Sequence, residues 1–445
     1  MQEKFINSLM CPYCGSGFDI EYTQNEEGNE IINGVIRCDC GKHPILEGIL
    51  ILREFHTKNN ILQYIVKNDV QKALTLALMK PYVDDILKII DLVEPKPMIH
   101  TVKNLGINLI RYRNINRYND NITTCNLFDK SPQGTYLKYR FSLESFWTLF
   151  PFIKVLKTQN SNVLDLCCGV GHASFVISNY VRPIGLICVD RSFNNLYFAK
   201  KRFSPEAKYL CCDCNSQMPF KDNTFSSICM IDAIHYIENK KLLSSEIKRL
   251  LNSNGILLLL HMHNSLIENL GAGKPLTPSS WIRLFDDLNL KACREIDIVK
   301  DFIYENRLDL KPNSDEKALN NSKAICITGS RQKSLFNTYY GVQTDYLKIK
   351  NNLVINPIYK IERDTNSIIV RRDPLTNPVL RELINLDCSW TASFLPISCT
   401  IRDSKILDSI LHGDFDPRIL SHNDLKYIEE LMLKFIIINV PSNYA

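Results

Sequence analysis

The chain has 445 residues, too many for one ordinary domain, because domains commonly hold about 150 residues. Apolar residues make up 45% and charged residues 23%, a globular composition that excludes a disordered or fibrous chain. The net charge of +5, from 53 basic and 48 acidic residues, neither requires nor excludes a polyanionic partner. Apolar runs such as 256–260 fall far short of the ~20 residues that cross a bilayer. The N-terminus shows no basic segment followed by an apolar one, so a secretory signal is not expected. The chain therefore reads as soluble and cytoplasmic, with no membrane partner. Its 16 cysteines are expected to be reduced there, and to serve as metal ligands or small buried residues.

Residues 1–55 carry two cysteine pairs, Cys11-Pro-Tyr-Cys14 and Cys38-Asp-Cys40, separated by a strand-rich stretch with Gly28 and Gly34. Four thiolates on two turns suit tetrahedral Zn2+, and so short a segment needs such a staple to fold. His43 follows closely enough to replace Cys38 or Cys40 as the fourth ligand. Residues 56–150 read as a helical region, with apolar residues at three- and four-residue steps over 61–80 and 83–93. Within it, Arg111-Tyr-Arg113-Asn-Ile-Asn-Arg117-Tyr118 interleaves cations with aromatics, a pattern found in RNA binders and also on solvated faces. Thr135-Tyr-Leu-Lys-Tyr-Arg140-Phe141 is either a lid over an acceptor or an ordinary packing helix.

Residues 151–330 alternate short apolar strands with amphipathic helices, the pattern of a parallel sheet with crossovers. Strands are expected at 162–167, 184–190, 208–212, 226–231 and 255–261, with two more, 292–299 and 323–328, closing the sheet. Helices are expected at 172–180, 193–203, 240–251 and 279–288. The fold class is α/β and Rossmann-like. Residues 331–445 form an α+β C-terminal domain ending in a helix, capped by Ser421 or Asn423, and a strand over 435–440.

The first strand of this stretch, Val163-Leu-Asp165-Leu-Cys167, runs into Cys168-Gly169-Val170-Gly171-His172 and a helix. A strand, a glycine turn and a helix N-terminus bring a ligand against bare backbone at the carboxyl edge of a sheet. No Lys-Ser/Thr follows the turn, which excludes a phosphate-cradling P-loop. The next strand ends in Asp190, followed by Arg191; a carboxylate there accepts hydrogen bonds from vicinal ribose hydroxyls. The third ends at Asp213, in Cys211-Cys212-Asp213-Cys214, where a side chain meets an adenine amino group.

In this order the residues resemble the class I S-adenosylmethionine-dependent methyltransferases: Asp165…Gly169-x-Gly171, Asp190, Asp213, Pro219-Phe220…Phe225 and Gly255. The resemblance implies a seven-stranded methyltransferase sheet over 151–330. It also implies that Asp165 and the glycine turn hold the amino-acid end of S-adenosyl-L-methionine, Asp190 the ribose, and Asp213 the adenine. Cys167 stands at the family's usual first glycine, and a cysteine is small enough to fit there. Cys167, Arg191, Cys214 and Asp232 join the expected cofactor site. The N-terminal segment, through His43-Pro-Ile-Leu-Glu-Gly-Ile-Leu-Ile-Leu, resembles the small zinc ribbons attached to or partnered with methyltransferases.

The acceptor is expected beyond the fourth and fifth strands. Two histidine sets lie there, His235 in Asp232-Ala-Ile-His235-Tyr236, and His261-Met-His263-Asn264. His261 and His263 are candidate bases, with His235 and Tyr236 lining the pocket. The fourth strand lacks the Asn/Asp-Pro-Pro-Tyr/Phe motif of amino-directed nucleic-acid methyltransferases. Three functions follow: methylation of a small molecule or natural product; methylation of ribosomal or transfer RNA, since a zinc ribbon also precedes this fold in certain ribosomal RNA guanine methyltransferases; or a cofactor-binding scaffold that recruits a partner.

Overall fold

The computed structural model describes residues 1–27, 30–54, 57–78, 132–159, 161–269, 273–348, 352–363, 368–385, 395–401, 404–413, 415–441 and 444. The segment 83–93 and the Arg111–Tyr118 run lie outside the described residues. Four strands come from the N-terminal segment: β1 (Asp19–Glu27), β2 (Glu30–Cys38), β3 (Gly41–Leu46) and β4 (Ile49–Ile51). Then follow β5 (Asn162–Leu166), β6 (Gly185–Asp190), β7 (Lys208–Cys211), β8 (Phe225–Ile231), β9 (Leu251–His263) and β10 (Asn289–Arg294). After β11 (Arg307–Asp309), which pairs in a small separate sheet, comes β12 (Ala324–Ser330).

These strands form one sheet in the order β1-β2-β3-β4-β7-β6-β5-β8-β9-β12-β10. Seven of its eleven strands come from the 151–330 stretch, as expected for the Rossmann-like α/β fold. The four N-terminal strands extend it through β4, which pairs parallel with β7 in the register Ile49↔Tyr209, Leu50↔Leu210, Ile51↔Cys211. From β4 across to β9 the neighbours are parallel, and β12 runs antiparallel between β9 and β10.

Alternation along the strands divides the core between the two faces of the sheet. Leu186 and Cys188 of β6 and Ile256, Leu258 and Leu260 of β9 join a cluster with Trp147, Phe150, Phe175, Phe302 and Phe435. Ile187, Val189, Leu257 and Leu259 face the other way, against Phe220, Leu243, Trp281 and Phe285. The N-terminal segment packs into this second cluster with Met1, Phe5, Leu9, Ile36 and Leu50. It shares a core, so a metal staple is not all that holds it.

Residues from the C-terminal stretch complete the first cluster. Trp147 stacks on Phe435 with ring centroids 3.5 Å apart and 5° between planes, and Asn439 donates to the Tyr180 hydroxyl at 2.8 Å. The predicted terminal helix is His422–Leu433, capped by Ser421 in a reciprocal box with Asp424.

Two local expectations need correction. The 292–299 run is not one strand: β10 ends at Arg294, and the helix Glu295–Glu305 begins at once with Glu295 and Asp297 in its first turn. Acidic residues there complement the positive end of the helix dipole. The 61–80 pattern is two helices, Lys58–Val66 and Val70–Ala77. Asn68 takes a left-handed φ of 61° between them, and the Asp69 side chain caps the second by accepting from Lys72 N–H.

Candidate cofactor and acceptor site

The carboxyl edge of the sheet gathers the predicted nucleoside residues. The turn after β5 is left-handed three times, with φ of 58° at Cys167, 55° at Gly169 and 96° at Gly171. A side chain in that conformation costs about 1–2 kcal/mol, which explains the family's preference for glycine where Cys167 stands. A Cβ on Gly171 would lie 2.9 Å from the Ala199 Cβ, so close helix packing forces glycine there. A Cβ on Gly169 would meet nothing within 4 Å. Bare backbone therefore faces open space at the point where a nucleoside cofactor is expected to lie.

Asp190, at the end of β6, braces this turn. Its carboxylate accepts from Gly169 N–H at 2.9 Å and from Ser192 N–H at 2.8 Å. Burial raises its pKa, partly offset by those backbone donors. Asp165 is 1% exposed and accepts from the Ser174 hydroxyl at 2.5 Å; burial pushes its carboxyl up to about 7. Asp213 follows β7 and accepts from Asn215 N–H at 2.9 Å. The Asn215 side-chain oxygen Oδ1 in turn accepts from Glu238 and Asn239 N–H. The Arg191 carbonyl accepts from Arg53 at 3.1 Å, tying the end of the N-terminal segment to this edge. Cys167 and Cys214 touch at 3.3 Å between sulfurs, linking the glycine turn to the Asp213 loop. The buried thiols Cys211 and Cys212 pack beside them with raised pKa values from desolvation, as small apolar residues do.

Asp232, expected at the cofactor site, lies among the histidines. β8 and β9 are parallel neighbours, and Asp232 N–H donates to the Leu260 carbonyl at 2.9 Å. Asp232 and His261 both take left-handed φ values, 55° and 53°, a cost found where a site over-determines the backbone. The Nε2 atoms of His235, His261 and His263 lie 3.6, 3.8 and 3.7 Å from one oxygen, Asp232 Oδ1. Arg140 Nη1, at 2.9 Å, and the Tyr136 hydroxyl donate to the other oxygen, Oδ2. His261 Nδ1 faces Glu295 Oε2 at 2.5 Å, and the rings of His235 and His263 stack at 3.7 Å. Burial depresses His235 to about 3 and His263 to about 4, leaving both neutral, whereas Glu295 and Asp232 outweigh burial and raise His261.

Three members of this cluster escape a sequence reading. Tyr136 and Arg140 sit in the suspected lid segment, on the helix Pro132–Tyr139 and the turn after it, but no local sequence pattern links them to Asp232. Glu295 was hidden inside a supposed strand.

In the N-terminal segment the thiols of Cys11, Cys14, Cys38 and Cys40 converge within 4.8 Å of one another, the spacing of donors around one ion. Cys40 lies 3.6 Å from Cys11 and 3.5 Å from Cys38. His43 stands outside this set, with Nε2 3.6 Å from Cys38 Sγ and Nδ1 3.2 Å from Lys58 Nζ.

Comparison with known proteins finds similarity over part of the chain. The family described as "Methyltransferase domain" matches residues 164–259. A demethylmenaquinone methyltransferase of Leptospira interrogans is 30% identical over 131 residues, covering 28% of this chain and 48% of that protein. An uncharacterized protein of Methanocaldococcus jannaschii is 32% identical over 124 residues, covering 27% of this chain and 52% of that one. The chain thus spans about half the length of the curated relatives it matches. Among solved structures, the YcgJ protein of Bacillus subtilis aligns with a TM-score of 0.30 and 16% identity, over 42% of this chain and 99% of that one. A Haloferax volcanii complex of the Trm112 methyltransferase activator with a putative methyltransferase aligns with a TM-score of 0.34 and 14% identity, over 47% and 97%. Residues 164–259 thus match the methyltransferase-domain family, and they lie within the Rossmann-like sheet.

Proposed function

We propose that the protein transfers a methyl group from S-adenosylmethionine to a small-molecule acceptor. The observation that carries this is the bracing of Gly169 by Asp190 at 2.9 Å, in a turn where a Cβ added at Gly169 would meet nothing within 4 Å. When bound, S-adenosylmethionine supplies an electrophilic methyl group, whose bond to the sulfonium sulfur breaks as the acceptor's lone pair forms the new one, leaving a neutral thioether. Asp165 and the 167–171 turn would hold the amino-acid end, Asp190 the ribose hydroxyls, and Asp213 with Cys214 the adenine rim. The acceptor is held beyond β8 and β9, against Asp232, His235, His261 and His263. A neutral imidazole there receives the proton that the acceptor gives up. Tyr136 and Arg140 reach over this cluster, and Thr135 beside them donates to Glu382 at 2.8 Å. That covering supports a small acceptor over a polymer. The four thiolates at the N-terminus are the ligands we assign to a structural Zn2+.

The test is calorimetry of S-adenosylmethionine on the full chain, followed by incubation with methyl-tritiated cofactor and cell extract. Binding, with label in the small-molecule fraction, is the expected result. Label in RNA overturns the acceptor class, and absence of cofactor binding overturns the whole reading.

A further inference from the structure

The histidine cluster has more nitrogen than a proton relay needs, and its geometry has a specific fault. Three imidazole Nε2 atoms surround Asp232 Oδ1 at 3.6–3.8 Å, too far for hydrogen bonds. His235 is wholly buried with neither ring nitrogen hydrogen-bonded, and buried His263 Nδ1 has no partner either. A buried polar atom left unpaired costs about 1–3 kcal/mol, and the Arg140 pair on Oδ2 relieves none of these. Ligand atoms about 2.0–2.1 Å from a common ion stand about 3–3.5 Å apart, close to the spacing seen.

From this we infer that Asp232, His261 and His263 hold a divalent transition-metal ion, bound through Asp232 Oδ1 and the two Nε2 atoms. All three ligand atoms lie within 4.8 Å of one another. The outer contacts are those of a built metal site. Glu295 Oε2 accepts a hydrogen bond from His261 Nδ1–H at 2.5 Å, which leaves the lone pair on Nε2 facing inward, and Arg140 with Tyr136 fixes the Asp232 carboxylate. Two imidazoles and one carboxylate suit zinc, iron(II), cobalt(II) or manganese(II) better than magnesium or calcium. Three protein ligands leave a coordination position open.

The ion's role rests on the proposed methyl transfer. An acceptor oxygen in the open position would become more acidic, its proton would leave for solvent because His261 and His263 are engaged by the ion, and the freed lone pair would take the methyl as its bond to the sulfonium sulfur breaks. The acceptor class is then one with a metal-binding hydroxyl, such as a phenol, an enol or an α-hydroxy acid.

The experiment is metal analysis of the full chain after saturation with cobalt(II) and dialysis. Wild type is expected to hold two ions per chain and His263→Gln one. The Cys11→Ser/Cys14→Ser variant is expected to keep one ion, with visible d–d bands but no sulfur-to-cobalt charge transfer. Equal cobalt content in wild type, His263→Gln and Asp232→Asn, each shown to be folded by circular dichroism, overturns the site. Calorimetry with S-adenosylmethionine runs in parallel: two ions without cofactor binding would sink the methyltransferase reading and leave the cation site standing, and cofactor binding with no loss of metal in the variants would do the reverse.

Discussion

Asp165, next to last in β5, and Asp190, last in its neighbour β6, both have carboxyls raised by burial, yet they are expected to respond to different experiments. Replacing Asp190 by Ala removes charge-assisted acceptor bonds worth about 2–3 kcal/mol, so S-adenosylmethionine should bind about 30–150-fold more weakly by calorimetry. Unchanged affinity would remove Asp190 from the ribose assignment. Asp165 binds its proton more tightly in the folded chain, with a pKa of about 7, than in the unfolded one. Its contribution to stability is therefore full below about pH 4 and is lost as pH rises through 7. Thermal melts of the ligand-free protein should show wild type falling relative to Asp165→Asn between pH 5.5 and 8; parallel curves would contradict the shift. These aspartates were legible because each lies in or at the end of an apolar run of fixed direction. Asp232 was not, because its partners come from a parallel neighbour 29–31 residues on and from Arg140, 92 residues back.

At the level of elements, the four-thiolate turn and the strands it precedes have separate supports. β2–β4 share a core with Phe220 and Leu210, and Leu52 and Arg53 N–H both donate to the Cys211 carbonyl. Chelating the Zn2+ we assign to this turn should therefore loosen residues 11–16 and 38–41, while β3 and β4 stay protected from hydrogen exchange. Exchange throughout residues 1–55 on metal removal would restore the simpler view that the ion alone folds the segment. The paired spacing of the cysteines revealed the ligands, but no local pattern announces that β4 will join β7, because that contact spans 160 residues in sequence. The strand misread over 292–299 has a different cause. Ile296, Ile298 and Val299 are strong strand formers, but Ile298, Val299 and Phe302 also lie on one helical face against the sheet, and packing decided the outcome.

Across the whole molecule, the C-terminal stretch does not stand apart. Phe435 is fully buried on Trp147, and Phe150 lies 6.4 Å from it between centroids. Phe435→Ala should cost about 3–5 kcal/mol and lower a single melting transition followed by both cofactor-site and C-terminal probes. A mutant that melts in two steps, with the cofactor site unmoved, would show that the two stretches fold independently.

The junction of β4 with β7 also bears on assembly. A sheet edge is a template on which another chain can add a strand, and in this molecule β4 already covers the β7 edge. The contact is made within one polypeptide, so it is governed by an effective concentration and not by a partner's abundance. Dilution cannot strip it, and an excess of a competing strand would have to displace a tethered one. What a two-chain arrangement would leave to mass action is here fixed at one to one by the peptide backbone.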